Sequence, residues 1–257
     1  MENKVIVITG ASAGIGAELA KQAAARGAKV VLGARRAKEL EAVATAIGER
    51  ALAVPCDVTK RADVDRLRDA AIARFGGIDV WVNNAGRGIS RLPSELTDED
   101  VDEIFRDNFK SALYGMQSVL PHFKARGVGQ ILNVSSGLAR IPYAAIRSVY
   151  SAAKAALNSI SASLRMELAL SHPKIQVSVV MPGVVATDFG LSALGGGPDS
   201  RRLPGAATVE SAAAAILAVI DHPRAEVYAT LGGAEEVARY LADPAAMENE
   251  IAARFRR

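Results

Sequence analysis

The sequence has very little cysteine, with Cys56 as the single one among 257 residues. One cysteine excludes an internal disulfide and a cysteine-based metal cluster, and it favours a reducing compartment. The three histidines stand far apart, at positions 122, 172 and 222, so no metal site is predicted. No apolar run reaches the length of a signal peptide or a membrane span. We therefore expect a cytoplasmic protein that does not contact a membrane.

The chain also lacks a large excess of charge of either sign. Lys and Arg number 31 against 28 Asp and Glu, which leaves a net charge of +3. An excess this small does not predict nucleic-acid binding. Apolar residues, in contrast, make up 50% of the chain, which is enough for a sizeable core. The length fits one large α/β domain, so residues 1–257 are predicted to form a single domain.

Apolar runs alternate with helical segments along the chain. Short β-branched runs predict strands buried on both faces of a sheet, and glycines stop the helical segments between them. This order predicts an α/β class protein with a three-layer αβα Rossmann fold and a doubly wound parallel sheet of about seven strands. The predicted strands are residues 5–8, 29–33, 51–55, 78–82, 129–134, 175–181 and 225–230. One long helix is predicted from an N-cap at Thr97 to about Arg126, and residues 234–257 are predicted to be a helical tail.

A glycine-rich turn follows the first predicted strand and precedes a helix. Its spacing is Gly-x-x-x-Gly-x-Gly, from Gly10 to Gly16. Glycines at such a place let the backbone bend tightly and let amides at the helix N-terminus approach a pyrophosphate. The turn therefore predicts dinucleotide binding. The predicted contacts come from Gly10, Ser12, Ala13, Gly14, Ile15 and Gly16.

Two arginines, Arg35 and Arg36, stand at the end of the second predicted strand. A fold that binds a free ribose 2′-hydroxyl usually has an acidic residue about 20 residues past the glycines, and here the first acid is Glu39 in the next helix. Guanidinium groups instead suit a 2′-phosphate. The sequence therefore favours NADP(H) over NAD(H), with a solvated arginine pair as the alternative.

Tyr150 and Lys154 are four residues apart in a segment that is predicted to be helical. This spacing places both side chains on one helical face, one turn apart. A nearby ammonium favours the phenolate, so we expect Lys154 to lower the pKa of Tyr150 from its ordinary value of about 10. The pair is predicted to carry out proton transfer.

Several motifs in this order resemble the short-chain dehydrogenase/reductase family, in its single-domain branch, over roughly residues 5–188. The matching residues are Thr9-Gly10-x-x-x-Gly14-x-Gly16, Asn83-Asn84-Ala85-Gly86, Ser136, Tyr150-x-x-x-Lys154 and Pro182-Gly183. The resemblance implies an NAD(P)-dependent oxidoreductase acting on CH–OH groups, with a small carbonyl or alcohol substrate and assembly as a homodimer or homotetramer. It implies a catalytic role for Asn108, Ser136, Tyr150 and Lys154. It further implies cofactor contacts from Asp57, Val58, Asn84, Ala85, Gly86, Tyr150, Lys154, Pro182, Gly183, Val185 and Thr187.

The serine assignment departs from the family pattern. Ser136 lies one residue further from Tyr150 than is usual, which we interpret as a lengthened loop at residues 143–147; Ser135 is the alternative. Residues 188–206 are predicted to be a substrate lid. Arg87, Ile89 and Arg91, which follow Gly86, are predicted to form part of the opposite rim of the pocket. The apolar side chains of the lid, together with this rim, predict a largely apolar substrate. The apolar wall is predicted from Phe189, Leu191, Leu194 and Leu203.

Three other functions fit parts of the pattern. A nucleotide-sensing regulator could keep the fold without catalysis, but the presence of both Tyr150 and Lys154 argues against it. A 3-oxoacyl thioester reductase is a second alternative, although residues 228–233 and the charged tail differ from the usual end of such enzymes. An epimerase or dehydratase on nucleotide sugars would usually need a larger C-terminal domain.

Overall fold

The computed structural model describes residues 1–229 and 233–254. Its described part contains a sheet of seven parallel strands, which confirms the predicted fold class. Three of the seven strands have the bounds that the sequence predicts. The seventh strand is shorter than the predicted range of residues 225–230. Thr230 lies outside the described residues. The strands are β1 (Val5–Thr9), β2 (Lys29–Ala34), β3 (Ala51–Pro55), β4 (Val80–Asn83), β5 (Gly129–Val134), β6 (Ile175–Met181) and β7 (Glu226–Tyr228).

Helices follow the strands as the sequence predicts. Most predicted helix bounds agree with the structure to within a few residues. The α-helices are α1 (Gly14–Ala25), α2 (Ala37–Ile47), α3 (Arg61–Phe75), α4 (Asp98–Phe105), α5 (Ser111–Arg126), α6 (Ser148–Ser171), α7 (Val209–Asp221), α8 (Gly233–Ala242) and α9 (Pro244–Arg254). Among the described residues, no helix has both the length and the apolar character needed to cross a bilayer.

The strand order is β3-β2-β1-β4-β5-β6-β7. Strand β1 pairs with β2 on one side and with β4 on the other, so the direction of winding reverses beside β1. In an open parallel sheet, such a reversal leaves a crevice outside the carboxyl ends of the strands, and ligands bind there. The polar residues that follow β1, β4, β5 and β6 therefore meet at one edge of the sheet.

Helices cover both faces of the sheet and form the three layers. The apolar strand residues divide by alternation, because successive side chains point to opposite faces. Ile6 and Ile8 pack with α1, α2 and α7, whereas Val5 and Val7 pack with α3, α5 and α6. All five residues of β1 are buried, which explains why its sequence is apolar almost throughout.

The predicted helix from residue 97 to residue 126 is interrupted in the structure. It starts as expected, because Thr97 and Asp100 form a reciprocal capping box at the start of α4. Between α4 and α5, however, Arg106–Lys110 forms a π-helical turn. Such turns occur frequently at functional sites, and this one carries Asn108.

Helices α8 and α9 pack against the loop that joins β5 to α6. Val237 of α8 and Met247 of α9 form a small apolar cluster with Ile141 of that loop. Tyr143 of the same loop donates a hydrogen bond from its hydroxyl to Glu236, at 2.9 Å. The tail is thus helical over its described residues, and it supports the loop that precedes the tyrosine helix. Residues 230–232, which include part of the segment that differs from thioester reductases, lie outside the described residues.

Candidate active site

Tyr150 and Lys154 lie on α6 at the carboxyl edge of the sheet. Both side chains are buried, with residue exposures of 6% and 3%. The Lys154 ammonium nitrogen is 5.8 Å from the centre of the Tyr150 ring, and it donates a hydrogen bond of 2.9 Å to the Val134 carbonyl at the end of β5. The helical spacing therefore brings the two groups together as predicted, and strand β5 fixes the position of the lysine.

Burial controls the acidity of both groups. Loss of hydration raises the pKa of Tyr150 to about 12, while the Ser136 hydroxyl and the Arg147 guanidinium lower it. The same cause lowers the pKa of Lys154 to about 8. The predicted lowering of the tyrosine pKa by Lys154 is therefore wrong for this structure. Desolvation outweighs the effect of the neighbouring charges, and a helical spacing alone does not reveal how deeply a residue is buried.

Ser135 and Ser136 point to different partners. The Ser136 hydroxyl faces the Tyr150 hydroxyl closely enough to lower the tyrosine pKa, and it accepts a hydrogen bond from the Leu138 amide at 3.2 Å. The Ser135 hydroxyl donates instead to the Lys154 backbone carbonyl at 3.3 Å. Of the two serines, Ser136 is thus the one whose hydroxyl faces Tyr150.

The Asn108 side chain approaches the Lys154 ammonium group from the π-helical turn. Its side-chain oxygen accepts from the Arg87 amide at 3.2 Å, and its side-chain nitrogen donates to the Arg87 carbonyl at 2.8 Å and the Ile104 carbonyl at 3.0 Å. A Cβ atom at Gly86 would lie 2.6 Å from the Asn108 oxygen and 3.3 Å from the Lys154 nitrogen. Glycine at this position therefore lets Asn108 and Lys154 converge.

The glycine-rich turn occupies the start of α1 beside β4. A Cβ atom at Gly16 would lie 2.5 Å from the Gly10 carbonyl oxygen, and one at Gly10 would lie 2.9 Å from the Ala85 Cα. The N-cap of α1, Ala13, has no side chain to cap the first amides, and the first turn has no acidic residue. Backbone amides at a helix N-terminus without a capping group suit an anion such as a pyrophosphate. Ser12 and Ile15 are half-buried parts of the same turn.

The two arginines after β2 differ in their surroundings. Arg36 donates two hydrogen bonds to the Ser12 hydroxyl, at 3.2 and 3.1 Å, so its guanidinium lies against the glycine-rich turn. Arg35 is exposed, and its charge lowers the pKa of Asp107, which burial raises. Both arginines are close to the crevice, and Arg36 is the one that the structure joins directly to the turn.

The remaining predicted nucleotide contacts line the crevice on both sides of β1. Asn84 donates to the Thr9 carbonyl at 2.9 Å, and the Ala85 amide donates to the Thr9 hydroxyl at 3.1 Å. The Asp57 carboxylate accepts from the Thr59 amide and hydroxyl, at 3.1 and 2.8 Å, which fixes the turn after β3. Val58 next to it packs against the apolar core.

The segment after β6 runs across the glycine-rich turn. The Pro182 carbonyl accepts from the Gly137 amide at 2.9 Å, and Gly183 beside it is exposed. Val185 is buried and forms a bridge with Ala207. A Cβ atom at Gly14 would lie 3.2 Å from the Thr187 methyl group, so this threonine lies directly over the turn.

The predicted lid contacts the rim of the crevice. The Ser90 amide donates to the Leu194 carbonyl at 2.8 Å, and the Leu194 amide donates to the Gly88 carbonyl at 2.9 Å. Phe189 packs edge-on against Tyr150 with the ring centres 5.5 Å apart, and Leu194 joins the same apolar cluster. Leu191 is 49% exposed, and its place in this wall stays a prediction.

One residue of the site was missed in the sequence. Arg147 is the N-cap residue of α6, three residues before Tyr150, and its charge acts on the tyrosine. In the sequence it stands out only because it lies four residues after Tyr143, a spacing that imitates the Tyr-x-x-x-Lys pattern. The useful signal is the shorter spacing to Tyr150, since residues three apart also share a helical face.

The comparisons with known proteins agree with this geometry. A family model described as short chain dehydrogenase matches residues 4–193. An uncharacterized oxidoreductase of Bacillus subtilis, YxnA, is 37% identical over 235 residues, which are 89% of this chain and 65% of that protein. The chain thus spans slightly less than two thirds of that relative.

The solved structures that superpose on this fold include other short chain dehydrogenases. A short chain dehydrogenase from Burkholderia cenocepacia in complex with NADP superposes with a TM-score of 0.81 at 28% identity, covering 97% of this chain and 98% of the other. A short chain dehydrogenase/reductase from Burkholderia phymatum in complex with NAD has a TM-score of 0.87, with 96% and 95% covered, and at 23% identity it shows the fold alone.

A nucleotide crevice with a buried tyrosine, lysine and serine at its edge defines an NAD(P)-dependent oxidoreductase that acts on CH–OH groups. The chain belongs to the short-chain dehydrogenase/reductase family. Its residues fit a nicotinamide nucleotide, because the uncapped start of α1, the close approach at Gly16 and the crevice beside β1 together leave room for a pyrophosphate and the groups attached to it.

Proposed function

We propose that this protein is an NADP(H)-dependent enzyme that interconverts a carbonyl group and a secondary alcohol on a small molecule, with Tyr150 as the general acid and base. The observation that supports this most strongly is the arrangement around Tyr150. Its buried hydroxyl faces Ser136, and Lys154 and Asn108 converge behind it at Gly86. Tyr150 is thus a proton donor with the Ser136 hydroxyl beside it as a hydrogen-bond donor, and both lie at the edge of the sheet where this fold binds ligands.

The chemistry follows from the protonation state of Tyr150. When bound, a reduced nicotinamide would supply a hydride to the carbonyl carbon. Tyr150 gives its hydroxyl proton to the carbonyl oxygen, so the C=O double bond becomes a C–O single bond while one C–H and one O–H bond form. Ser136 donates a hydrogen bond to the same oxygen as negative charge develops on it. The phenolate then regains a proton from water through the group formed by Lys154 and Asn108.

The high pKa of Tyr150 favours the protonated form, which is the form that carbonyl reduction uses. A phenol with a pKa of about 12 is almost fully protonated at pH 7. Oxidation needs the phenolate, which burial disfavours. Alcohol oxidation should therefore require a higher pH than carbonyl reduction.

The preference for NADP(H) is supported by the contact between Arg36 and the glycine-rich turn. Two hydrogen bonds to Ser12 hold its guanidinium where the ribose next to the pyrophosphate would bring a 2′-phosphate. Arg35, exposed on the same loop, adds a second positive charge. Guanidinium groups pair with phosphate oxygens more favourably than with a neutral hydroxyl.

Two further parts of the proposal concern organisation. Residues 1–257 would act as one domain, with residues 188–206 as a lid that covers the substrate through Phe189 and Leu194. Self-association as a homodimer or homotetramer would cover the apolar side chains that α6 exposes, Met166 at 70% and Leu170 at 96%. Light scattering after size-exclusion chromatography tests the assembly, and a monomer would refute that part.

The proposed activity is tested with a panel of ketones, aldehydes and secondary alcohols. Absorbance of the reduced nicotinamide is followed with NADPH and, in parallel, with NADH. We expect reduction of at least some carbonyl compounds, faster with NADPH than with NADH at equal concentration. An absence of turnover across the panel, with both nucleotides bound, would instead support a regulator that senses the nucleotide.

A further inference from the structure

Arg147 places a positive charge beside the reacting hydroxyl. It is the residue before the first turn of α6, three residues ahead of Tyr150, and its charge lowers the tyrosine pKa. Residues at this spacing on a helix have Cβ atoms about 5–6 Å apart. The guanidinium is half-buried, and one nitrogen donates to the Ile89 carbonyl at 2.8 Å.

Two glycines make room for this guanidinium. A Cβ atom at Gly88, on the rim, would lie 2.8 Å from one terminal nitrogen of Arg147 and 3.0 Å from the Phe189 ring. A Cβ atom at Gly197, in the lid, would lie 3.0 Å from the other terminal nitrogen and 2.8 Å from the Ser90 hydroxyl. The guanidinium is therefore held between the rim and the lid, on the same side as the ring that packs on Tyr150.

The positive charge of Arg147 is not neutralised by an acid within residues 1–229 and 233–254, where its one hydrogen bond goes to a neutral carbonyl. Neighbouring arginines of the rim differ in this respect. Arg87 pairs with Glu103, and Arg91 lies 2.9 Å from a carboxylate oxygen of Asp100. Burial lowers the pKa of Arg147, which shows the cost of holding this charge without a counter-charge.

The Ser90 hydroxyl lies beside the same lid glycine as the guanidinium, since a Cβ atom at Gly197 would lie 2.8 Å from it. It is buried and has no hydrogen-bond partner in the described part of the chain. Buried polar groups are normally hydrogen-bonded. A cation without a counter-charge and an unpaired hydroxyl that lie beside one glycine, between the rim and the lid, are groups that can bind an anion.

We propose that Arg147 binds a carboxylate of the substrate, so that the substrate is a short oxo acid, or the corresponding hydroxy acid. This inference rests on the proposed function. The carboxylate would contact the Arg147 nitrogen beside Gly197, and the carbonyl would face Tyr150 and Ser136. The chain between them would lie against Phe189 and the apolar cluster around it. The short spacing from Arg147 to Tyr150 limits the substrate to a few carbon atoms between its two polar groups.

The test compares each acid with its neutral ester. Levulinate and methyl levulinate, and acetoacetate and methyl acetoacetate, are supplied to the wild-type enzyme and to Arg147→Gln with NADPH. A lost charge-assisted hydrogen bond lowers kcat/KM by about 10–150-fold. We expect this loss for the acids and a change of less than about threefold for the esters. Arg147→Lys, which keeps the charge, should recover part of the activity on the acids.

The matched control is Arg91→Gln, which removes an arginine of the same rim whose charge is already paired. It should change the ratio of acid to ester activity by less than about threefold. An equal loss on acids and esters in Arg147→Gln would overturn the proposal, because it would mean that Arg147 only holds the rim to the lid. Reduction of neutral carbonyls without reduction of either acid would also overturn it, while the proposed function would stand.

A binding measurement makes the proposal independent of turnover. Isovalerate carries a carboxylate and no carbonyl that can be reduced, and its binding is followed by calorimetry in the presence of NADP⁺. Binding to the wild type that is lost in Arg147→Gln and retained in Arg91→Gln supports the anion site, even if no carbonyl compound is reduced. Equal binding to all three proteins would contradict it.

Discussion

Replacement of Arg36 by alanine should weaken NADPH selectively. The guanidinium is joined to the glycine-rich turn through two hydrogen bonds to Ser12, so its positive charge lies beside the turn that is proposed to bind the pyrophosphate. A hydrogen bond between charged groups contributes about 1.5–3 kcal/mol, which corresponds to about 10–150-fold in affinity. We expect the Kd of NADP⁺ to rise by a factor in this range. NAD⁺ lacks the 2′-phosphate, so its Kd should change less than about threefold.

Calorimetric titration of both nucleotides measures the two constants directly, without dependence on a substrate. Arg35→Ala should show the same selectivity, and the double variant should lose more than either single one. Arg50→Ala is the matched control, because this exposed arginine pairs with Glu2 on a different part of the surface. Equal weakening of NADP⁺ and NAD⁺ in Arg36→Ala would refute the reasoning, because the arginine would then serve only to hold the turn.

Three further outcomes are expected. Ser136→Ala should lower kcat of carbonyl reduction by about 10²–10³-fold, as for loss of an oxyanion donor, and Ser135→Ala should lower it much less; the opposite ranking in steady-state assays would assign the role to Ser135. Gly16→Ala should reduce stability by about 1–3 kcal/mol in urea unfolding, since its Cβ would lie 2.5 Å from the Gly10 carbonyl oxygen; unchanged stability and cofactor affinity would show that the turn can open. Because the folded-state pKa of Lys154 is lowered to about 8 while the unfolded chain still binds the proton up to its ordinary pKa, Lys154 should contribute about 2 kcal/mol more to the unfolding free energy at pH 9.5 than at pH 7. Burial raises the pKa of Cys56 to about 12, which acts in the opposite direction over this range, so the contribution is measured as the difference between the wild type and Lys154→Met. That difference should grow by about 2 kcal/mol over the range, and an identical pH dependence in the two proteins would contradict the assignment.

The order of elements could be predicted from the sequence because local patterns determine it. Apolar β-branched runs such as residues 5–8 can be buried on both faces only in a covered parallel sheet, and the structure has them there. The capping box at Thr97 was equally visible. The π-helical turn that carries Asn108 was not, because nothing in the local composition of residues 106–110 distinguishes it from an α-helix.

The site was predictable to the extent that helical spacing and strand ends determine it. Tyr150 and Lys154 share a face of α6 as expected, yet the sign of the tyrosine pKa shift depends on burial, which tertiary packing sets. The same limit applies to Leu191, whose 49% exposure follows from packing that the sequence does not reveal. Arg147 was missed because the effect of its charge on Tyr150 depends on where the packed rim and lid hold the guanidinium.

The central claim is that Tyr150 supplies the proton in carbonyl reduction, and Tyr150→Phe tests it most directly. The variant removes one oxygen atom and keeps the ring that packs on Phe189 at 5.5 Å. Turnover is measured with NADPH and the best carbonyl substrate of the panel, and NADP⁺ binding is measured by calorimetry on the same preparation. We predict a loss of kcat of at least about 10²-fold, with the Kd of NADP⁺ changed less than about threefold. Turnover near the wild-type rate in a variant that still binds NADP⁺ would contradict the account.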